Sequence, residues 1–356
     1  MVYADYAATH PYVKYPSSAY GPFLNPNANY AYKEKRLLSE AENRVKKAIG
    51  AKGGKVIFGG TSSQLIENLF THIYDETNEY LTICSVYEHD SVWRFADQWG
   101  NIDSLKHAIQ TYHGDKQLIV CLMGVNNLTG EIMPVEEIGK LCHKYNGFYI
   151  CDGTAQIGHT SIEPNIDDWC DFYAFSGHKL GTELGIGCCW VSDRLNKWLD
   201  GFKLHGTPNL AGALAMTQAV EDACDTGNLS ERIIHFNKMQ DCLINCLVKN
   251  RIDFRLVPDD NTCPSGHEFT FAINAIRLPG FNADALQQHL ASKQIYVSIG
   301  GSACTEKHDY RVLNAYGLSN NEASEVIRVS FSEDSGIEDV KALVDGIKNF
   351  KELYLK

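Results

Sequence analysis

The chain has 356 residues, enough to bury a large core, and its 44% hydrophobic and 21% charged residues argue against disorder. The 44 acidic and 32 basic residues give a net charge of −12, which argues against nucleic-acid binding because nucleic-acid binders carry a basic surface. The length predicts one large domain with a smaller second one.

Cysteine usage and the N-terminus narrow the class of protein. Several of the twelve cysteines lie inside apolar runs, so most are predicted to be reduced core residues rather than a disulfide framework. Their spacing matches no zinc site, and no metal is expected. The N-terminus lacks the pattern of a signal peptide, and no apolar run approaches the roughly 20 residues that span a bilayer. We therefore expect a soluble, cytoplasmic protein with no membrane partner.

The first part of the chain predicts an arm, a scaffold helix and a polar loop. Residues 1–30 are rich in Tyr, Pro and Asn and are predicted to form an irregular arm. Apolar residues at helical spacing predict a helix over 32–49. A strand over 55–58 then leads into Thr61-Ser62-Ser63 and an apolar helix. This arrangement can bind a phosphate through backbone N–H groups, hydroxyls and the helix dipole, and an ordinary helix cap is the alternative.

Three further predicted strands each lead to polar side chains. They are the runs 81–86, 117–123 and 148–152, which lead to His89, to Asn126-Asn127 and to Asp152. Strands and helices alternate from residue 55 to residue 190, which predicts a mainly parallel sheet. Ligands bind at the carboxyl ends of such strands, so Asp152 is a candidate site residue. The imidazole of His89 could relay protons near neutral pH, and a core or surface histidine is the alternative.

The run Phe172–Phe175 ends in Ser176-Gly177-His178-Lys179. Most lysines are solvated surface charges, but a lysine that loses its proton forms Schiff bases with carbonyls. Ser176 and His178 would be phosphate or acid–base partners. Pyridoxal phosphate also needs a carboxylate facing its ring nitrogen, which keeps the ring an electron sink. Asp152 and Lys179 are therefore predicted to hold the ring and the aldehyde of this cofactor.

The C-terminal part predicts a smaller α+β domain. A long helical region from Asn209 to about Asn250 precedes it, and its predicted strands and helices cover 268–273, 295–298, 283–292 and 337–350. The predicted segments are an arm (1–30), a large cofactor-binding domain (31–245) and a small C-terminal domain (246–356). Cys304 lies in a glycine-rich polar loop, where exposure and flexibility suit a reactive thiol better than a core role. Arg328 lies in a strand and could grip a carboxylate.

These motifs together resemble the class V pyridoxal-phosphate enzymes, in particular the cysteine desulfurases of the NifS/IscS type. The resemblance runs from Tyr3 to Arg328 in the family's order, and it rests on five stretches and Asp152: Asp5-Tyr6-Ala7-Ala8-Thr9, Tyr87-Glu88-His89-Asp90-Ser91-Val92, Val125-Asn126-Asn127, Ser176-Gly177-His178-Lys179 and Gly301-Ser302-Ala303-Cys304. It implies an α/β protein of the pyridoxal-phosphate fold type I, with a mainly parallel sheet in the large domain. It also implies a homodimer.

The resemblance assigns roles to residues across the chain. The implied cofactor-binding residues are Thr61, Ser62, Ser63, His89, Asn127, Asp152, Gln156, Ser176, His178, Lys179 and Thr207. The implied catalytic residues are Lys179, Cys304 and His89, and the implied substrate-binding residues are Asn127 and Arg328. Thr207 matches a threonine that binds the phosphate of the neighbouring subunit. The family's glutamine position is Ala155 here, with Gln156 one residue later, and its arginine position is Leu204.

The implied reaction is removal of sulfur from L-cysteine, which gives L-alanine and a persulfide on Cys304. The sulfur would pass to an acceptor such as an iron–sulfur scaffold or a tRNA-thiolation enzyme. One alternative keeps the cofactor and changes the reaction to that of a selenocysteine lyase, a C–S lyase or an aminotransferase. Another is a non-catalytic sulfur-carrier or scaffold homologue. Cys304→Ala distinguishes the desulfurase from an aminotransferase, and cofactor absorbance distinguishes both from a carrier.

Overall fold

The computed structural model describes residues 1–76, 79–259, 267–301 and 309–354. In chain order its strands are β1 Val2–Tyr3, β2 Lys55–Gly59, β3 Tyr80–Ser85, β4 Gln98–Gly100, β5 Gln117–Cys121, β6 Glu131–Ile132, β7 Phe148–Asp152, β8 Phe172–Ser176, β9 Gly187–Val191, β10 Arg255–Val257, β11 Glu268–Phe269, β12 Ile273–Arg277, β13 Ile295–Tyr296, β14 Ser298–Ile299 and β15 Val326–Ser330. Its helices are α1 Tyr32–Ala48, α2 Ser62–Glu76, α3 Asp90–Trp93, α4 Ile102–Thr111, α5 Val135–Lys144, α6 Asp193–Trp198, α7 Leu210–Cys224, α8 Thr226–Lys249, α9 Ala283–Ser292, α10 Arg311–Ala315, α11 Asn320–Ala323 and α12 Ile337–Tyr354.

The chain forms two compact units. The large unit comprises residues 12–125 and 133–229, and the small unit comprises residues 1–11, 126–132 and 230–356. These units differ from the predicted segments 1–30, 31–245 and 246–356, because the first eleven residues and the segment after Val125 group with the C-terminal part. The predicted domain boundaries stay a prediction.

A seven-stranded sheet organises the large unit. Its strand order is β2-β9-β8-β7-β5-β3-β4, and all neighbours are parallel except that β9 runs antiparallel to both β2 and β8. The predicted mainly parallel sheet is confirmed. Strands β7, β8 and β9 are buried along their whole length, which explains their nearly continuous apolar sequences. Leu65, Phe70 and other apolar residues of α2 pack into the same core as these strands.

The direction of the strands determines which loops lie together. Strands β3, β5, β7 and β8 run the same way, so their carboxyl ends share one edge of the sheet. Two successive antiparallel pairings give β2 the direction of β8, and its carboxyl end lies at that edge as well. All the predicted polar loops of the large unit therefore leave the sheet from one side.

The small unit contains a four-stranded antiparallel sheet in the order β10-β12-β15-β14. Two strand pairs accompany it: β1 with β13 in parallel, and β6 with β11 in antiparallel orientation. The predicted irregular arm thus begins with a short strand. The predicted strands 268–273 and 295–298 were each wrong in extent, because each is divided between two short strands.

The long helical region after Asn209 is two helices, α7 and α8. The side chain of Asp225 accepts hydrogen bonds from the N–H groups of Gly227 (3.1 Å) and Asn228 (3.0 Å). An aspartate that caps free N–H groups starts a new helix, which periodicity alone did not reveal.

The cysteines of the described ranges are free thiols, and seven of them are buried. This confirms the core role for Cys84, Cys121, Cys142, Cys151, Cys170, Cys188 and Cys189. No helix within the described ranges has the length and apolar character required to cross a bilayer. Over the same ranges, no group of three or more His, Cys, Asp or Glu side chains is placed to hold a metal ion.

Candidate active site

The loop after β2 and the end of β8 are joined by hydrogen bonds between two serines. The N–H of Ser62 donates to Oγ of Ser176 at 2.9 Å, and the two hydroxyl oxygens lie 2.8 Å apart. Both side chains are buried. Gly187 permits this approach, because a Cβ at that position would lie 2.7 Å from the backbone carbon of Thr61. The structure therefore brings the predicted phosphate loop to the Ser176–Lys179 segment.

Thr61 caps helix α2. Its Oγ1 accepts the N–H of Gln64 at 3.1 Å, which is the N-cap geometry. Thr61 thus has the helix-cap geometry, and its predicted binding to the cofactor stays a prediction. Ser62 and Ser63 are the first two residues of the helix, where free N–H groups and the dipole favour an anion, and their phosphate role stays a prediction.

Asp152 is the last residue of β7 and is 8% exposed. Its Oδ1 accepts the N–H of Thr154 at 2.9 Å, which fixes the carboxylate at the end of the strand. Asp152 pairs in register with Ala174 of β8, two residues before Ser176. The adjacent strands thus deliver the predicted carboxylate and the predicted lysine segment to the same edge of the sheet.

His89 lies at the N-cap of α3, shortly after β3. Its Nδ1 accepts the N–H of Ser91 at 3.2 Å, so the proton of the neutral ring is on Nε2. Burial lowers the pKa of His89; the positive charge of Lys179 also lowers it, while the Asp152 carboxylate opposes both. The imidazole is therefore neutral at pH 7, and Asp152 and Lys179 both act on it electrostatically.

His178 and Lys179 form a short turn directly after β8. Burial lowers the pKa of His178 to about 4, and the charge of Lys179 contributes to this shift. His178 is therefore a neutral hydrogen-bonding group at pH 7, and its binding to the cofactor stays a prediction.

Gln156 is buried in the interior of the large unit, with 1% of its surface exposed. Its Oε1 accepts the hydroxyl of Tyr173 at 2.9 Å, and its Nε2 donates to the carbonyl of Ser161 at 3.2 Å. A Cβ added at Gly124 would lie 2.2 Å from this Oε1, so only a glycine at position 124 lets the backbone pack this closely against the Gln156 side chain. These bonds give Gln156 a structural role and lend no support to its predicted contact with the cofactor's O3′.

Thr207 is exposed in the loop before α7. The amide of Asn25 donates to its hydroxyl at 3.5 Å, and the amide of Asn27 donates to the carbonyl of Gly206 at 2.8 Å. The structure therefore places Thr207 on the surface, tied to the arm by amide contacts. Its binding to a neighbouring subunit's phosphate stays a prediction.

In the small unit, Arg328 is 2% exposed in the middle of β15. Its Nη1 donates to the carbonyl of Asn127 at 2.9 Å, while its Nη2 donates to Oδ1 of Asp5 at 2.7 Å and to Oγ of Ser298 at 3.0 Å. Its buried Nε has no hydrogen-bond partner in the described part of the chain. The structure thus brings Asn127 and Arg328 together through the backbone of Asn127.

Asp5 and Ser298 are the residues that the sequence did not assign to the site. Asp5 stands in the N-terminal motif, but its partner Arg328 lies 323 residues later in the sequence, and no local pattern predicts such a pairing. Cys304 lies outside the described residues.

Comparison with known proteins identifies the family. The family model described as aminotransferase class-V matches residues 2–343, which is nearly the whole chain. The chain belongs to the class V aminotransferase family. Two class V relatives are cysteine desulfurase IscS of Dictyoglomus turgidum, 26% identical over 99% of this chain and 94% of that protein, and the putative cysteine desulfurase IscS 1 of Bacillus subtilis, 25% identical over 96% of each.

Solved structures share the class V fold. A NifS-like protein from Rickettsia africae superposes with a TM-score of 0.82 at 21% identity and covers 99% of this chain and 100% of that one. The apo cysteine desulfurase of Thermococcus onnurineus gives 0.75 at 19% identity, over 99% and 94% of the two chains. The predicted fold type I is confirmed.

The groups at the sheet edge fit pyridoxal phosphate, the cofactor of class V enzymes in general. Asp152 offers a carboxylate for the ring nitrogen, and Lys179 offers an amine for the aldehyde. The helix that begins at Ser62 offers N–H and hydroxyl groups for the phosphate. The donor set therefore matches each part of the cofactor with a group of suitable chemistry.

Proposed function

We propose that this class V enzyme is a cysteine desulfurase that uses pyridoxal phosphate. The observation that carries the proposal is that His89, Asp152 and Lys179 all lie at or just after the carboxyl ends of neighbouring parallel strands. The electrostatic effect of Asp152 and Lys179 on the buried imidazole of His89 agrees with this placement. Pyridoxal-phosphate chemistry needs acid–base groups near the cofactor, and these three residues supply a carboxylate, an amine and a neutral imidazole. They lie where parallel sheets bind ligands. The relatives named cysteine desulfurase support the choice of reaction within the family.

The residues of the large unit would hold the cofactor and move protons. When bound, pyridoxal phosphate supplies the electron sink that weakens bonds around the substrate's Cα. Asp152 would keep the ring nitrogen protonated, and Ser62 and Ser63 would hold the phosphate. The amine of Lys179 would bind the aldehyde and then carry the proton from the substrate's Cα. The Nε2–H of His89 would donate a hydrogen bond to the substrate or the ring.

Arg328 would bind the α-carboxylate of L-cysteine. A buried N–H without a partner costs about 1–3 kcal/mol, and a ligand that accepts this hydrogen bond recovers that free energy. The Nε of Arg328 is such a group among the described residues. A guanidinium also forms charge-assisted hydrogen bonds with carboxylates, which supports this assignment.

Cys304 would accept the sulfur. Its thiolate would attack the sulfur of L-cysteine, so that an S–S bond forms while the C–S bond breaks, and Cβ takes up a proton. The products are L-alanine and a persulfide on Cys304, which balances atoms and electrons without an external oxidant. The persulfide would then pass to an acceptor protein such as an iron–sulfur scaffold or a tRNA-thiolation enzyme, and the cytoplasm is the expected location.

We also propose that the active form is a homodimer. Thr207 is exposed, as a residue that contacts a second subunit's cofactor must be. Large apolar side chains are also exposed on the arm and on the loop after Lys179, among them Tyr12, Leu24 and Leu184. A second copy that covers them would remove apolar surface from water. Sedimentation analysis tests this, and a monomer at working concentration would contradict it.

Incubation with L-cysteine and a reductant tests the reaction when alanine and sulfide are measured together. A desulfurase releases the two in equal amounts, and Cys304→Ala abolishes both. Cys224→Ala is a matched control, because Cys224 is a partly exposed thiol of the large unit that has no predicted role in the reaction. Full turnover by Cys304→Ala would contradict the proposed persulfide. A protein that stays colourless with pyridoxal phosphate and unchanged by borohydride would contradict the whole proposal.

A further inference from the structure

Three side chains of the small unit form a closed hydrogen-bonded triangle. Oδ1 of Asp5 accepts from Nη2 of Arg328 at 2.7 Å and from Oγ of Ser298 at 2.8 Å, and the same hydroxyl accepts from Nη2 at 3.0 Å. The Arg328 side chain is 3% exposed and that of Asp5 is 18% exposed. Asp5 is therefore the carboxylate that compensates a buried positive charge.

The backbone on both sides of Asp5 is fixed. The N–H of Ala4 donates to Tyr296, and the N–H of Ser330 donates to the carbonyl of Ala4, each at 2.9 Å. On the other side, the N–H of Ala7 donates to Oγ of Ser330 at 2.9 Å. Because the backbone is held at Ala4 and at Ala7, the intervening Asp5 is held in place and its carboxylate orients the guanidinium.

The contacts of Arg328 are all on its two terminal nitrogens. Nη1 is held by the carbonyl of Asn127, and Nη2 is held by Asp5 and Ser298. Nε is buried and has no partner among the described residues. The Nε–H is thus available to a ligand, while both terminal nitrogens of the guanidinium are already hydrogen-bonded. A negatively charged acceptor such as a carboxylate suits this N–H best.

We infer that Asp5 is a positioning residue for carboxylate recognition: it holds Nη2 of Arg328 so that the Nε–H meets the α-carboxylate of the amino-acid substrate. This inference rests on the proposed function. The N-terminal segment then belongs to the substrate site, although it lies at the far end of the sequence. Asp5 acts through Arg328 and takes no part in bond breaking.

Substrate titrations of the cofactor-loaded enzyme test the inference. Asp5→Ala is expected to raise the KM for L-cysteine about tenfold to a hundredfold, the range of one lost hydrogen bond to a charged group, while kcat stays within about threefold. Asp5→Asn keeps an acceptor oxygen in place but loses the charge, so a smaller rise is expected. A kcat loss with unchanged KM in both variants would overturn the positioning role.

A second readout needs no turnover. Binding of L-alanine and of ethylamine is followed by the change in cofactor absorbance, because the two amines differ in the carboxylate. Asp5→Ala is expected to weaken L-alanine binding about tenfold or more and to leave ethylamine binding unchanged. Equal weakening of both ligands, or of neither, would overturn the inference.

Asp334→Asn is the matched control. Asp334 lies 3.3 Å from His10 of the same N-terminal segment, so this change removes the same charge without touching Arg328. Its KM and L-alanine binding are expected to match wild type. If Asp5→Ala does not fold, as judged by urea unfolding of the cofactor-free protein, the isosteric Asp5→Asn decides by the same two readouts.

Failure of the proposed function gives a different pattern. Wild-type protein that shows no absorbance change with any amine would overturn the function and this inference together. If the wild-type protein desulfurates L-cysteine and the Asp5 variants bind L-alanine as tightly as wild type, only the role of Asp5 is overturned.

Discussion

The hydroxyl oxygens of Ser62 and Ser176 lie 2.8 Å apart, and the N–H of Ser62 donates to Ser176. One serine begins helix α2 and the other ends strand β8, so this contact joins the predicted phosphate loop to the segment that carries Lys179. The position of a phosphate relative to the lysine would therefore depend on this pair.

Ser176→Ala should destabilise the fold. It leaves the buried N–H of Ser62 without its acceptor, which costs about 1–3 kcal/mol in the free energy of unfolding. Urea unfolding of the cofactor-free protein measures this cost. Ser18→Ala, a change at an exposed serine of the arm, should stay within about 0.5 kcal/mol of wild type. Equal stability of the two variants would show that the serine contact contributes nothing.

Asp152→Asn should lower the pKa of His89 further. The Asp152 carboxylate raises that pKa against the effect of burial, and an amide removes its charge while it still accepts the Thr154 N–H. NMR titration of the imidazole tests the shift, and Lys179→Met should move the pKa in the opposite direction. We also expect turnover to fall about a hundredfold or more, because the ring nitrogen loses its anionic partner. An unchanged His89 pKa in both variants would contradict the proposed electrostatic group.

Acid should destabilise the protein through His178. Its pKa is about 4 in the folded state and 6.5 in the unfolded state, so the unfolded chain binds more protons between these values. The contribution of His178 to the free energy of unfolding is fully present above about pH 6.5. It is lost as the pH falls towards about 4, by up to about 1.4 kcal/mol per pH unit. Urea unfolding at several pH values measures the slope. His178→Gln should reduce the slope, and His89, whose pKa is also lowered, should account for part of the remainder.

Gln156→Ala should reveal a structural role. It leaves the fully buried Tyr173 hydroxyl without an acceptor, which costs about 1–3 kcal/mol of unfolding free energy in addition to any cavity. Tyr173→Phe removes that hydroxyl, so the double variant should be less destabilised than the sum of the two single variants. Urea unfolding of the four proteins gives the coupling. Cofactor affinity that falls in Gln156→Ala without a loss of stability would favour the O3′ role instead.

Much of the large unit could be predicted from the sequence. The apolar strands and the intervening helices predicted the parallel sheet, and that geometry placed His89, Asp152 and Lys179 at one edge. The one-residue displacement of Gln156 was visible in the sequence, but its side-chain direction was not. Tyr173, which accounts for that direction, stands in a neighbouring strand and offers no local signal.

The sequence by itself determined the family, the sheet and the candidate cofactor residues, because periodicity and ordered motifs are local properties of the chain. Only the tertiary structure decided that Asp5 and Ser298 hold Arg328, that Gln156 is bonded inside the large unit and that the small unit combines three separate segments. Each of these depends on contacts between residues far apart in the sequence. Such contacts follow from packing and burial in three dimensions, which no short stretch of sequence encodes.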